Sequence, residues 1–239
     1  MTRSSLWATL FALPAILVML ALGTWQVQRL EWKTALFGRV QDRMAQPPTA
    51  LPAALPDPAA FEFRPVTVTG RFRHDREMLA VARPRQGMAG YEVVTPLERD
   101  DGGPPVLVNR GFVPMDRRDP ASRPQGQVTG TVTVRGVARL PAEAAWLAPG
   151  NPAPGAGRDA VWGRPDPVAM AAAAGVDTLA PVIVEALPGQ TPGGIPAGIE
   201  PRLELPNSHL QYAVTWYGLA ATLLVIYGLT MVRGRSARP

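Results

Sequence analysis

The sequence predicts a membrane protein in which two transmembrane α-helices flank a mainly antiparallel, extracytoplasmic β-domain, a sandwich or an open barrel with one or two short helices. Two apolar runs, Leu6–Thr24 and Ala213–Val232, contain no charged side chain. Each is long enough to cross a hydrocarbon core of about 30 Å as a helix. Between them, runs of alternating apolar and polar residues are typical of strands. Three arginines directly follow the second run, which indicates a cytoplasmic C-terminus.

The first apolar run is expected to be a retained membrane helix over residues 6–27. A cleaved signal peptide is the alternative, because Ala21 and Gly23 are small residues suited to a cleavage site. The run is longer than the apolar part of a usual signal peptide, which favours the helix. Apolar residues then continue at helical spacing, so residues 28–46 are predicted to form an amphipathic helix beside the membrane that ends before Pro47.

Residues 47–206 are predicted to form the β-domain, with a turn at Asp100–Gly103 and bulges or bends at Gly130 and Gly136. Asp166–Ala174 is the expected helix of this domain, and a loop rich in Pro, Ala and Gly covers residues 141–157. Six runs have the composition of strands: Val66–Phe72, Glu77–Ala82, Tyr91–Leu97, Val106–Val113, Gln127–Leu140 and Val182–Ala186.

The second membrane helix is predicted over residues 209–232, followed by a basic cytoplasmic tail over 233–239. Ser208 and Gln211 have the spacing of a capping box, which indicates that the helix starts beside them. Two spans with a cytoplasmic C-terminus place both termini in the cytoplasm and the middle domain outside. Few lysines and many Arg, Ala and Pro residues indicate a GC-rich coding sequence and therefore a bacterial inner membrane.

Charge and composition exclude several classes of function. The net charge is +5, but the stretch from Glu31 to Glu204 holds 19 basic and 19 acidic residues. The excess therefore flanks the spans, where it meets lipid headgroups, and it does not form the basic stripe of a nucleic-acid-binding domain. The chain has no cysteine, which excludes disulfides, thiolate metal sites and covalent haem attachment. No nucleophile or metal-binding motif of an enzyme is visible, so the protein is not expected to be one.

The start of the second span carries the first group of candidate site residues. His209 would lie in the first helical turn, where the helix dipole favours the neutral imidazole that can ligate iron. Tyr212 and Trp216 follow at helical spacing on the same face. The alternative is an ordinary aromatic belt at the membrane interface.

The end of the first span carries the second group. Trp25, Arg29 and Trp32 follow one another on one helix face, so both rings could hold the arginine by cation–π contacts while it binds a carboxylate. A snorkelling arginine in an aromatic belt is the alternative.

Other signals in the chain are weak. His74 lies among charged residues and is interpreted as a solvated turn residue. The run 155–160 matches a dinucleotide-binding pattern, but no strand precedes it, so the motif lacks its usual mechanism. Arg110 and Gly111 are interpreted as structural: the glycine relieves a bend or a close backbone approach, and the arginine pairs with a carboxylate of the domain. The alternative is that Arg110 pairs with a partner.

Three motifs together resemble the Surfeit-locus family of cytochrome c oxidase assembly proteins. They are Leu22–Lys33 (LGTWQVQRLEWK), Val108–Pro114 (VNRGFVP), and Asn207–Tyr212 (NSHLQY) running into Thr215–Tyr217 (TWY). The order of these motifs and the layout with two spans fit the family over essentially the whole chain.

The resemblance implies an assembly factor of the haem–copper oxidase that binds haem a and aids its delivery to the large catalytic subunit, with haem a synthase as a further candidate partner. It implies His209 as the iron ligand, with Tyr212, Trp216, Trp25 and Arg29 as further haem-binding residues. The alternative is a membrane scaffold that stabilises an early oxidase intermediate without binding haem. A scaffold would be expected to depend on the surface of Val106–Pro114.

Overall fold

The computed structural model describes residues 3–143, 149–153, 156, 160–201 and 208–236. They form two compact units: Met1–Val40 together with Leu203–Pro239, and Gln41–Arg202. The helices described are α1 (Arg3–Met44), α2 (Pro167–Ala174) and α3 (His209–Ser236). The strands described are β1 (Thr49–Ala50), β2 (Pro65–Phe72), β3 (Met78–Val81), β4 (Gly90–Arg99), β5 (Val106–Pro114), β6 (Thr131–Arg139), β7 (Val161–Trp162) and β8 (Ile183–Ala186).

Helices α1 and α3 are both long and apolar enough to cross a membrane. Only 11% of the most apolar stretch of α1 and 6% of that of α3 is buried inside the protein. The core helix of a soluble protein would bury most of such a stretch, so both helices have the length, composition and exposure expected of membrane-spanning helices. The amphipathic helix predicted over residues 28–46 is the continuation of α1, which runs without interruption through Pro14 to Met44.

Small residues bring α1 and α3 together in the first unit. Gly23, Ala213 and Ala220 are buried, and a Cβ atom on Gly23 would lie 2.8 Å from the ring of Tyr217. Close approach through small residues is the usual way in which helices associate in lipid. It also lets polar side chains meet across the pair: the hydroxyls of Tyr217 and Thr24 are 3.1 Å apart.

The β-domain is a closed barrel with mixed strand directions. Strands β2, β6, β8, β5 and β4 pair in that order, and the end of β4 returns to β2 through the pair Gly70–Arg99 and its neighbours. Closure removes the free edges that an open sheet would leave. Of the two predicted architectures, a sandwich or an open barrel, the structure shows the barrel, and it is closed. The predicted strands each match an observed strand to within a few residues.

Three strand pairs are parallel and were not foreseen: β1 with β2, β3 with β7, and β5 with β8. Strands β1 and β7 have only two residues each, too few to give an alternating pattern. The expected bend is seen at Gly130, which has a φ of +85° just before β6, whereas Gly136 lies in the unbroken register of β6 with β2 and forms no bulge. The register shift lies between Val93 and Val94 of β4 instead.

Two layers of apolar side chains bury β5 on both faces. Inside the barrel, Val106 and Val108 pack with residues of β2, β6 and β8. Outside, Leu107 packs with Met170 of α2, the predicted helix, which is confirmed. Asp166 caps α2 by accepting from the N–H groups of Val168 and Ala169, as a helix N-terminus requires. All residues from Val106 to Val113 are buried, so the scaffold hypothesis cannot use this strand as an exposed docking surface.

Candidate functional site

The helix pair contains a histidine whose orientation is fixed by a side chain of the other helix. His209 is the first residue of α3 and is partly buried. Its Nδ1 lies 2.7 Å from Oε1 of Gln26 on α1. An amide oxygen only accepts hydrogen bonds, so Nδ1–H must be the donor. In the neutral ring the lone pair then lies on Nε2, and among the described residues no hydrogen-bond partner occupies that nitrogen.

Gln26 is the residue that the sequence analysis missed, although it lies inside the quoted motif of the first span. Gly23 is three residues before it and therefore on the same side of α1. The absence of a side chain at Gly23 admits the Tyr217 ring, and this close approach brings the start of α3 within reach of Gln26. The available sequence signal was Gln26 itself, a polar residue in the motif Leu22–Lys33, which was interpreted only through Trp25 and Arg29.

The other predicted site residues lie on the outer surface of the pair. Tyr212 and Trp25 are 54% and 53% exposed, and Trp216 is partly buried. Arg29 stacks on Trp32, with its guanidinium carbon 4.0 Å from the ring centroid. The expected sandwich of Arg29 between two tryptophan rings is not seen, because only Trp32 makes the described contact. Within the described part of the chain, no hydrogen bond joins these four residues to His209.

Tyr212, Trp25 and Arg29 thus present apolar faces and one cation on the same helix pair as His209, whose Nε2 has no hydrogen-bond partner among the described residues. Such a surface suits a flat, apolar ligand that carries a metal and anionic groups. Arg29 lies one turn along α1 from Gln26, about 4.5 Å along the helix axis. These residues could therefore hold a haem, with His209 as the candidate iron ligand and Arg29 as the candidate partner of its propionates.

The barrel contains a second polar cluster, centred on a buried carboxylate that the sequence analysis did not single out. Glu77 accepts hydrogen bonds from both terminal nitrogens of Arg123. A nitrogen of Arg110 lies 3.7 Å from the same carboxylate, and Gln127 donates to it at 3.4 Å. The side chains of Glu77, Arg110 and Arg123 are at most 5% exposed. A buried ion pair of this kind is costly to break, because the remaining charge cannot be solvated.

His74 belongs to this cluster, so its interpretation as a solvated turn residue is wrong. The ring is half-buried and lies against Phe72, with the centroids 5.5 Å apart. Its Nε2 lies 2.8 Å from the carbonyl oxygen of Val128 and donates to it, while Nδ1 faces Arg110 at 3.5 Å. Burial lowers the pKa of His74, and the positive charges of Arg110 and Arg123 lower it further.

We expect the barrel to lose stability as the pH falls below 6.5, the ordinary pKa of histidine. Between the lowered and the ordinary pKa the unfolded chain binds more protons than the folded one, so stability rises with pH in this window. The stabilisation that depends on neutral His74 is complete above pH 6.5 and is lost as the pH falls through the lowered pKa. His74→Gln, which keeps a donor for Val128, should remove this part of the pH dependence.

Hydrogen exchange of β2 and β5 in the detergent-solubilised chain, measured above and below pH 6.5 and compared between native and variant, tests this expectation. His209→Gln is the matched control, since the chain has two histidines. An equal loss of protection at low pH in the native chain and in His74→Gln would contradict it.

Arg110 and Gly111 have the structural roles that the sequence predicted. Arg110 pairs with a domain carboxylate, Glu77. Gly111 has a φ of +103°, and a Cβ atom there would lie 2.0 Å from the carbonyl oxygen of Ala197. The dinucleotide-like run at 155–160 falls mostly outside the described residues. No group of three or more His, Cys, Asp or Glu side chains suited to a metal ion occurs among the residues that are described.

Known proteins resemble this chain along nearly its whole length. The sequence profile of the SURF1 family matches residues 13–221. Surfeit locus protein 1 of Rattus norvegicus is 37% identical over 242 residues, which cover 95% of this chain and 76% of the rat protein. The Homo sapiens protein of the same name is 36% identical, covering 89% and 74%. A SURF1-like protein of Monosiga brevicollis is 35% identical, covering 92% and 85%.

Proposed function

The chain belongs to the SURF1 family, which implies a role in cytochrome oxidase assembly, and on this premise we propose that it binds haem a through His209 and aids its delivery to the large catalytic subunit. Family membership also implies that it is an assembly factor and not an enzyme. The bound haem a is cargo that the protein must later release.

The observation that carries the proposal is the hydrogen bond between His209 Nδ1 and Gln26 Oε1. Histidines that ligate a metal usually donate their second ring N–H to a neighbouring acceptor, which fixes the tautomer and the ring orientation. Gln26 does this for His209, so Nε2 is the ligating atom. An amide is a weaker acceptor than a carboxylate, and the resulting ligand suits cargo that has to leave.

The surroundings of His209 support the proposed binding of the propionates and the macrocycle of haem a. Haem a combines a long apolar tail with two propionates, so it should bind where lipid meets water. Tyr212 and Trp25 are exposed on the outer surface of the helix pair, and the guanidinium of Arg29 stacks on Trp32. A guanidinium binds a carboxylate through two parallel hydrogen bonds. Arg29 is therefore our candidate for a propionate, and the aromatic side chains are candidates for the macrocycle.

The topology belongs to the proposal as well. The arginines at positions 233, 235 and 238, at and beyond the end of α3, favour a cytoplasmic C-terminus, and the barrel would then lie on the outer side of a bacterial inner membrane. On that side the start of α3, with His209, lies at the outer boundary of the bilayer. Haem a would then be bound at the outer leaflet.

The test is an optical spectrum of the detergent-purified chain, co-expressed with haem a synthesis. The native protein should show a haem a band and His209→Ala should lose it. Gln26→Leu removes the acceptor for Nδ1–H, so we expect reduced occupancy and a shifted band, with the protein still folded. Gln28→Leu is the matched control, because Gln28 is exposed on the same helix and should leave the spectrum unchanged.

A haem band of equal strength in native protein and His209→Ala would overturn the assignment of the ligand. A chain without haem in every preparation, but still required for oxidase assembly, would favour the scaffold. If Gln26→Leu and Gln28→Leu gave the same spectrum as the native protein, His209 would not depend on Gln26 for its orientation.

A further inference from the structure

The buried ionic cluster of the barrel carries one positive charge more than its carboxylate neutralises. Glu77 faces two guanidinium groups, those of Arg110 and Arg123, and the lowered pKa of His74 keeps that ring neutral at neutral pH. Arginine stays protonated in proteins. A buried charge without a counter-charge is costly, and the usual remedy is an anion that pairs with it.

The two guanidinium groups are not equivalent, and the excess charge belongs to Arg110. Arg123 binds Glu77 with both terminal nitrogens and donates further to the carbonyl oxygens of Arg117 and Arg118. Arg110 reaches Glu77 only at 3.7 Å, and its other terminal nitrogen donates to the carbonyl oxygen of Gly126. Glu77 therefore pairs mainly with Arg123, and the positive charge of Arg110 is left without a close counter-charge.

Arg110 lines a pocket at one end of the barrel. The residues around it come from the ends of β2, β6 and β8, from the loop before β6 and from the loop after β8: Phe72, Val128, Val132, Thr133, Val134, Ala186, Gln190, Thr191 and Pro192. None of them is acidic. Thr133 and Pro192 are exposed and mark the open side, and the guanidinium of Arg110 lies 4.7 Å from the Phe72 ring. Barrel mouths are common places for small ligands.

We propose that this pocket binds the carboxylate of a ligand with a short apolar body, held by Arg110 and enclosed by the valines of β6. The pocket volume is ≈ 110 Å³, far below the roughly 300–1,000 Å³ of sites for drug-sized ligands. It admits a carboxylate with a few carbon atoms and excludes a porphyrin. The site is therefore distinct from the haem site proposed at His209 and does not rest on it.

The carboxylate could belong to a free small molecule or to the C-terminus of a partner chain, and two probes distinguish these sources. Hexanoate represents the first and the acetylated tripeptide Ala-Val-Leu the second. Hexanamide and the amidated tripeptide, which lack the charge, are the controls. Each is titrated into the full chain in detergent while the Nε–Hε signal of Arg110 is followed by NMR. We expect a saturable shift with at least one carboxylate and none with its amide.

Two variants test the role of Arg110. Arg110→Gln should weaken carboxylate binding about 10- to 100-fold, the effect of losing a hydrogen bond to a charged group; in this variant the backbone amide signals of Gln190 and Thr191, which line the same pocket, report the binding. Because that variant also disturbs the cluster around Glu77, Thr191→Glu provides a test that leaves the cluster intact. The new carboxylate lines the same pocket and should occupy it, so that the Arg110 signal shifts without ligand and the probes no longer bind. Thr191→Gln should bind the probes as the native chain does.

Several results would overturn the proposal. One is the absence of a saturable shift with either carboxylate in the native chain. Equal binding of a carboxylate and its amide would show an apolar pocket without an anion site. Unchanged probe binding in Thr191→Glu would place the anion elsewhere on the protein.

Discussion

Replacing Glu77 with Gln is expected to destabilise the barrel by about 3–5 kcal/mol, the range for removing one partner of a buried ion pair. The change leaves Arg123 and Arg110 buried, with no carboxylate to face them. The segment from Arg117 to Gln127 should loosen as well, because Arg123 and Gln127 both donate to Glu77. Hydrogen exchange of the full chain in detergent measures both effects. The amides of the barrel strands report the stability of the barrel, and the amides from Arg117 to Gln127 report the local opening of that segment.

Glu98→Gln is the matched control for this prediction. Glu98 also pairs with an arginine, Arg73, at 2.7 Å, but its side chain is 50% exposed. Exposed pairs contribute about 0–1 kcal/mol, so the control should exchange almost as the native chain does. Equal effects of the two substitutions would mean that the Glu77 cluster is solvated and that burial does not set its strength.

Replacing Gly111 with Ala is expected to cost roughly 4 kcal/mol or more, in the exceptional range for a single substitution. Two causes add. The φ of +103° is unfavourable for any residue with a Cβ atom, and that atom would lie 2.0 Å from the carbonyl oxygen of Ala197. This oxygen accepts from Phe112 N–H, so it cannot retreat without breaking the pairing of β5 with the segment around Ala197.

Gly130→Ala separates the two causes. Gly130 has a φ of +85°, but a Cβ atom added to it would meet no other atom within 4 Å. It should therefore show only the conformational cost of about 1–2 kcal/mol. Urea unfolding of the full chain in detergent compares the two variants directly. Similar destabilisation by Gly111→Ala and Gly130→Ala would show that the Ala197 carbonyl group can move aside at little cost. The positive φ alone would then explain the need for glycine at position 111.

Elements with a local pattern could be predicted from the sequence. Both membrane helices follow from uninterrupted apolar runs, and α2 follows from Asp166 at its start and Gly175 at its end. The main strands follow from alternation. Strands β1 and β7 could not be found in this way, because two residues give no period and each is held only by its pairing with a distant strand.

The candidate site also contains features that could be predicted from the sequence and features that could not. His209 could be placed at the start of α3 from the residues around it, since capping and helical spacing are local. The sequence could not show that Gln26 would meet it, because the two are separated by 183 positions. The interpretation of His74 failed for the same reason: its charged neighbours in the chain suggested solvent, while Val128 and Arg110 bury the ring.

The sequence by itself determined that this protein has two helices long and apolar enough to span a membrane, a β-domain between them and a histidine at the start of the second one. These features depend on side-chain periodicity and polarity over a few turns or strands. Only the tertiary structure decided that the sheet closes, that Glu77 joins Arg123 and Arg110, and that Gln26 orients His209. Each of these contacts selects one partner among many chemically equal ones, and that selection is made by the packing of segments far apart in the chain.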